Sequence, residues 1–279
     1  MLGIIFQAIA SFFEEISGSL EKLIVEKKLA SFYAIGFLNA ALSLGFYAIY
    51  ALTGKGRFVI HPASLPSLAV LVILAVAQAY ATMKGTSLAA RSTFNFVRTG
   101  TMPLLLLADL ALGYGIGWRQ ILGIACIVLA LLVLFMNHGI ERRGLGLVVF
   151  TAINAAVTIS IYKWHITKWN SVAAEQLVLH VFIAAYFLFG AVRLRRENPF
   201  RLLRNRTALA QTGSYAFGSF LEGFAYQYAP ASIILAAKRS FAVLWSILAG
   251  NRVFHEKRLV LKLITFIMVA AGIVLLAVA

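Results

Sequence analysis

Apolar runs of about 20 residues, the length that crosses a hydrocarbon core as a helix, follow one another along almost the whole chain with only short polar links between them. They fall at 2–23, 30–52, 65–83, 89–112, 118–136, 145–164, 172–192, 207–227, 230–250 and 259–279, and predict ten helical spans. Polar residues inside several runs keep a helical step. In the first, Gln7, Ser11, Glu14, Ser17 and Glu21 recur at intervals of four, three, three and four, which stacks them on one face. Lys84, Ser87, Arg91, Asn95 and Arg98 do the same leading into the fourth run, and Gln211, Tyr215, Ser219, Glu222 and Tyr226 do so in the eighth. The sixth carries a sparser set, Asn154, Thr158 and His165. The ninth, "SIILAAKRSFAVLWSIL", holds Lys238 and Arg239 side by side about 12 to 14 Å from its start, close to mid-membrane. An ionised group facing lipid is costly, so these stripes are expected to face protein or a shared wet cavity.

Composition agrees with the pattern. The 279 residues are 61% hydrophobic and 13% charged, too little polar surface to coat a soluble globule of this size. The net charge of +15 would suit a nucleic-acid binder if the chain were soluble. Its basic residues instead sit mainly in the links, which points to topology and excludes nucleic acid as a partner. Lys27, Lys28, Lys84, Arg142, Arg143, the six arginines of "RLRRENPFRLLRNR", Arg252, Lys257 and Arg258 fall in the odd-numbered links. The even-numbered links have Lys55, Arg57 and Lys168, with Arg119 at a span edge. That count puts both termini outside the cytoplasm. The first run carries Glu14, Glu15 and Glu21 where a cleavable signal would be uninterrupted, so it is read as a span.

The chemistry of most enzymes has no foothold here. The single cysteine, Cys126, rules out an internal disulfide or a thiolate cluster, and the five histidines are scattered over different runs. No nucleotide loop, nucleophile elbow or dinucleotide fingerprint is present. ATP-driven transport by this chain alone, a cofactor, a metal site and an enzymatic role are therefore not expected.

Sliding the chain by 141 residues lays "FNFVRTGTMPLLLLADLALGYGIGWRQILG" over "LAAKRSFAVLWSILAGNRVFHEKRLVLKLI", with Arg98 on Arg239 and Ala108 on Ala249. Each half, 1–137 and 138–279, then has five spans, and an odd number inserts the second half upside down. The expected fold is an all-α integral membrane protein, ten transmembrane helices arranged as two inverted five-helix repeats, a plan of secondary transporters that hold substrate between the halves.

The repeat endings carry a resemblance. "TMPLLLLADLALGYGIGWRQILGIACIVLALLVLF" and "KRSFAVLWSILAGNRVFHEKRLVLKLITFIMVAAGIVLLAV" resemble the span, polar turn and glycine-containing terminal span of the EamA-like drug/metabolite transporter superfamily. The second ending has the family-like acidic turn at Glu256; the first has Gly115 there, and "FFEEISGSLEK" departs from the small and aromatic residues usual in the first span. The resemblance implies a ten-span carrier in a prokaryotic inner membrane with both termini cytoplasmic, opposite to the charge count, so orientation stays open. A narrower one implies an anionic substrate: Lys238 and Arg239, with Tyr215 in the eighth span and Arg98 one residue out of register, are similar to the phosphate-binding set of the triose-phosphate/phosphate translocators.

The expected activity is alternating-access transport of a small polar, anionic or zwitterionic metabolite. Asn95, Arg98, Tyr215, Lys238 and Arg239 are its binding candidates. Gln7, Ser11, Arg91, Gln211, Ser219 and Tyr226 are candidates for the cavity lining. Two readings of the cations stay open: anion binding, or pairing with Glu14 and Glu222, themselves candidates for proton coupling or plain ion pairs. Glu175 is placed at a helix start, where a carboxylate is favourable without a function. "GYGIG" at 113–117 predicts a tight turn, and Gly213, Gly218 and Gly223 predict close helix contacts. The partners expected are a small-molecule substrate and the lipid bilayer, with a homodimer left open. The alternatives are an exporter of amino acids or hydrophobic amphiphiles and, from other classes, a membrane-embedded lipid-phosphate enzyme or a non-transporting helical scaffold.

Overall fold

The computed structural model describes residues 1–27, 29–53, 58–88, 94, 97–136, 142–253 and 259–277. Among them the regular structure is entirely helical, with ten α-helices joined by short links. They are α1 Leu2–Glu26, α2 Phe32–Leu52, α3 Leu65–Leu88, α4 Thr101–Ala111, α5 Trp118–Met136, α6 Leu145–Lys168, α7 Val172–Phe189, α8 Arg206–Ala225, α9 Ala231–Val253 and α10 Leu259–Ala277. Every apolar run thus has its helix. For the run at 89–112, much of the part before α4 lies outside the described residues, Arg91 and Asn95 included.

Local chemistry sets several boundaries. Ser31 opens α2 by accepting from the Ala34 N–H, Ser171 opens α7 by accepting from Ala174, and Asn205 opens α8 by accepting from Thr207 and Ala208. Each satisfies an N–H that the first turn leaves without an intrahelical partner. At the other end of α4 the chain turns at Gly113, whose φ of +78° suits a residue without Cβ, and Tyr114 N–H bonds back to Asp109 O at 3.0 Å. The expected tight turn is therefore a helix-ending turn.

The main packing partner of each of the first five helices is one of the last five. α1 lies against α8 and α9, α2 against α7 and α8, α3 against α6 and α7, α4 against α6 and α9, and α5 against α10. Helices adjacent in sequence touch far less, so the two halves interlock. Small residues permit this: a Cβ on Gly123 of α5 would stand 2.9 Å from the Gly272 carbonyl of α10, and one on Gly218 of α8 would stand 3.0 Å from the Ala10 carbonyl of α1. Gly213, expected to be a contact of the same kind, faces open space.

The interior holds Leu71, Met102, Leu105, Ile127, Leu131, Ile233 and Ile234. Outward, Ile49, Ile73, Leu107, Ile153, Phe182 and Val274 leave more than half of their surface uncovered, each on a different helix. Exposed apolar surface on that scale fits a hydrocarbon solvent better than water. Among the described residues four stretches, Phe32–Leu52, Pro62–Gly85, Leu145–Lys168 and Val172–Leu194, are long and apolar enough to cross a membrane. α1, α8 and α9 carry the ionisable groups described next.

Candidate functional site

The middle of α1, the last turn of α8 and the first half of α9 meet at a charged cluster. The Lys238 ammonium lies 2.9 Å from Glu14 Oε1 and 2.6 Å from Glu222 Oε2, so one cation bridges two carboxylates from two helices. Each of the three side chains keeps about a fifth of its surface exposed. Tyr226 OH donates to the other Glu222 oxygen at 3.4 Å. A buried charge in such a site is tolerable because it is paired and hydrogen-bonded.

Arg239, one residue on and about 100° around the helix, is placed differently. Its Nε is buried without a hydrogen-bond partner, and so is that of Arg98, from the turn before α4. Arg98 lies over the Phe94 ring at 5.2 Å and within electrostatic reach of Arg239, Glu222 and Glu14. Two guanidinium groups of like charge share one region with donors unfilled. A guanidinium is a planar fork whose geometry suits carboxylate or phosphate. Tyr215, among Arg98, Glu14, Glu21 and Glu222, is 37% exposed, so the cluster reaches the surface on that side; it and Glu21 lie toward the end of the bundle that carries the odd-numbered links.

Several expected cavity residues are elsewhere. Gln7, Ser11 and Gln211 have essentially no exposed surface. Gln7 donates to Ser11 at 3.4 Å, Ser11 donates to the Lys238 carbonyl at 3.3 Å, and Gln211 donates to Ser17 at 3.0 Å. These bonds fill the seams of α1 with α8 and α9, so the three residues are helix-packing groups and not cavity lining. Polar periodicity marks the inward face of a helix, but α1 presents that face to two closely seated neighbours, which exclude water. Ser219 is half-buried and its carbonyl accepts from Tyr47 OH at 3.0 Å.

A second polar network, at the end with the even-numbered links, is assembled from residues the sequence leaves apart. His165 Nδ1 stands 2.5 Å from Glu175 Oε1, and its Nε2 stands 2.8 Å from Ser67 Oγ. Asn170 Nδ2 donates to Glu175 Oε2 at 2.5 Å, while Asn170 Oδ1 accepts from Ser64 Oγ and the His61 N–H at 3.0 Å each. His165, Glu175 and Ser64 are fully buried. Glu175 therefore does more than favour a helix start: it anchors a link between α3, α6 and α7. Asp109 and Lys163, also buried, carry no periodic signal in the sequence; Asp109 Oδ2 accepts from the Ser232 N–H at 2.7 Å. Among the described residues no group of three or more His, Cys, Asp or Glu side chains could hold a metal ion.

The helices and the buried charge define an all-helical protein with membrane-crossing segments. No protein-family model matches the chain, and no curated protein matches it either. Its fold does recur: 28 chains of solved structures match. One, described only as the crystal structure of a protein, superposes with a TM-score of 0.76 at 10% identity, covering 98% of this chain and 95% of that one. At that identity the likeness carries the fold alone.

Proposed function

We propose that the protein is a secondary transporter that moves a small anionic or zwitterionic metabolite by alternating access, with Arg98 and Arg239 as the anion-binding pair. The observation that carries this reading is the contrast within one cluster: Lys238 is occupied by Glu14 and Glu222, whereas each arginine keeps an unfilled Nε–H at a cleft. A helical scaffold has no use for two unpaired like charges held together, since each unfilled buried donor costs about 1–3 kcal/mol. Tyr215 supplies a hydroxyl beside them to orient the substrate, and Lys238 holds α1 and α8 against α9 instead of touching the substrate.

The ten-span, inverted-repeat plan and the EamA-like resemblance belong to the same reading. Support comes from the helix pairings, in which adding five to a first-half helix and subtracting five from a second-half one turns the main pairings into one another. α1 with α8 becomes α6 with α3, α1 with α9 becomes α6 with α4, and α2 with α8 becomes α7 with α3; α2 with α7 and α5 with α10 map onto themselves. Two halves related in this way can rock about a central site.

Counterflow in proteoliposomes tests the function, with phosphorylated metabolites, carboxylates, amino acids and organic cations offered together. The expected result is selective anion exchange that falls at least about tenfold in Arg239→Gln and in Arg98→Gln, a charge-assisted bidentate contact being worth roughly 1.5–3 kcal/mol. Exchange of neutral or cationic solutes that survives both substitutions would overturn the assignment and favour an amphiphile exporter.

A further inference from the structure

The charged cluster is partly exposed toward Tyr215, whereas Tyr162, Lys163 and Tyr226, on its side toward the even-numbered links, are buried, and the first two are groups that the transport reading leaves unused. Lys163 of α6, 5% exposed, donates to the Tyr226 carbonyl at 2.5 Å and lies over the Tyr114 ring at 5.5 Å. An ammonium has three donors, and a carbonyl brings it no compensating charge. The acid within electrostatic reach of it is Asp109 of α4. Asp109 has one oxygen on the Ser232 N–H, in the first turn of α9, and the other buried with no partner. Tyr226 joins this pair to the cluster, because its hydroxyl bonds Glu222 while its carbonyl holds Lys163. Tyr162 adds a second tie between α6 and α8, its hydroxyl donating to the Gly223 carbonyl at 2.9 Å.

We propose that Lys163 and Asp109 form the gate that shuts the central cleft at the end carrying the even-numbered links, with Tyr226 coupling that gate to the charged cluster. The inference rests on the transport reading. Its geometry is that of a closure able to part: Lys163 ties α6 to the residue that ends α8 and Asp109 ties α4 to α9, each through one hydrogen bond, and each keeps hydrogen-bonding capacity for water. In the shut state the Lys163 charge holds the end of α8 against α6. Opening hydrates both side chains, and that hydration offsets the two hydrogen bonds that break. The His165, Glu175, Asn170 and Ser64 network is fully bonded and stays closed as the hinge on which α3, α6 and α7 remain joined.

The test reads accessibility and is independent of whether any substrate is carried. A single reporter, Ser219→Cys on a Cys126→Ala background, is reconstituted in sealed vesicles and exposed to a membrane-impermeant maleimide from one side at a time. The parent should label from the side of the odd-numbered links. Lys163→Met should raise labelling from the opposite side by on the order of tenfold, Asp109→Asn should act in the same direction, and Lys163→Arg should restore the parent pattern. Labelling from the even-link side that is unchanged in both Lys163→Met and Asp109→Asn would overturn the gate, as would a parent reporter closed to reagent from both sides. Absence of anion counterflow with a gate that responds as described would count against the transport reading and leave the gate standing.

Discussion

Two buried polar clusters share this bundle, and they differ in whether their hydrogen bonds are complete. Around His165, both ring nitrogens, both Glu175 oxygens and the Asn170 amide have partners, and exposure is nil at His165 and Glu175. Around Lys238, five ionisable groups converge, three cations against two carboxylates, yet two arginine Nε groups are unfilled and about a fifth of the bridged side chains remains exposed. A completed network raises the cost of rearrangement, so it fixes elements relative to one another. An incomplete one with excess positive charge is what the proposed anion site requires. The first cluster fastens α3, α6 and α7; the second offers chemistry.

The comparison breaks most visibly at Lys238. Replacing it by Met leaves Glu14 and Glu222 facing each other without their shared cation, and the expected loss is about 3–5 kcal/mol, read as a large drop in melting temperature of the purified protein. Arg239→Met, one residue away, should cost less than about 1 kcal/mol, because no bonded partner is orphaned. Equal drops for the two would erase the distinction between a clamp and a free receptor. Glu175→Gln comes next: it removes the charge that holds His165 and Asn170 and should cost about 1–3 kcal/mol. Amide hydrogen exchange should then speed up at residues 58–64 and 169–175, while anion counterflow stays unchanged. The smallest effect is expected for Tyr215→Phe, within about 0.5 kcal/mol in stability because the ring is exposed in the cleft, with weakened anion exchange as its only clear signature. A pronounced loss of stability would place Tyr215 with the structural groups.

The sequence carried the helices well because each boundary is a local matter. Apolar length marks the ten runs, Ser31, Ser171 and Asn205 start three helices, and Gly113 ends another. Glu14, Glu222 and Lys238 were legible as groups that needed a partner, since three ionisable side chains in apolar runs have few ways to avoid lipid. Gln7, Ser11 and Gln211 were legible only as an inward face; whether such a face meets water or another helix depends on how closely the neighbour sits. Asp109 and Lys163 gave no such signal, one being the single acid in its run and the other the single charged residue in its own.

What the sequence by itself determined is the set of helices and the roster of charges that must be hidden from lipid. Only the tertiary structure decided which charge meets which. Lys238 and Glu14 are 224 residues apart in the chain, and a turn of about 100° between adjacent positions gives Lys238 both carboxylates while Arg239 is left with an unfilled donor. Periodicity fixes the direction in which a side chain leaves its own helix. The identity of the group it finds there is set by the packing of two interlocked halves, a property of the whole chain and of no segment within it.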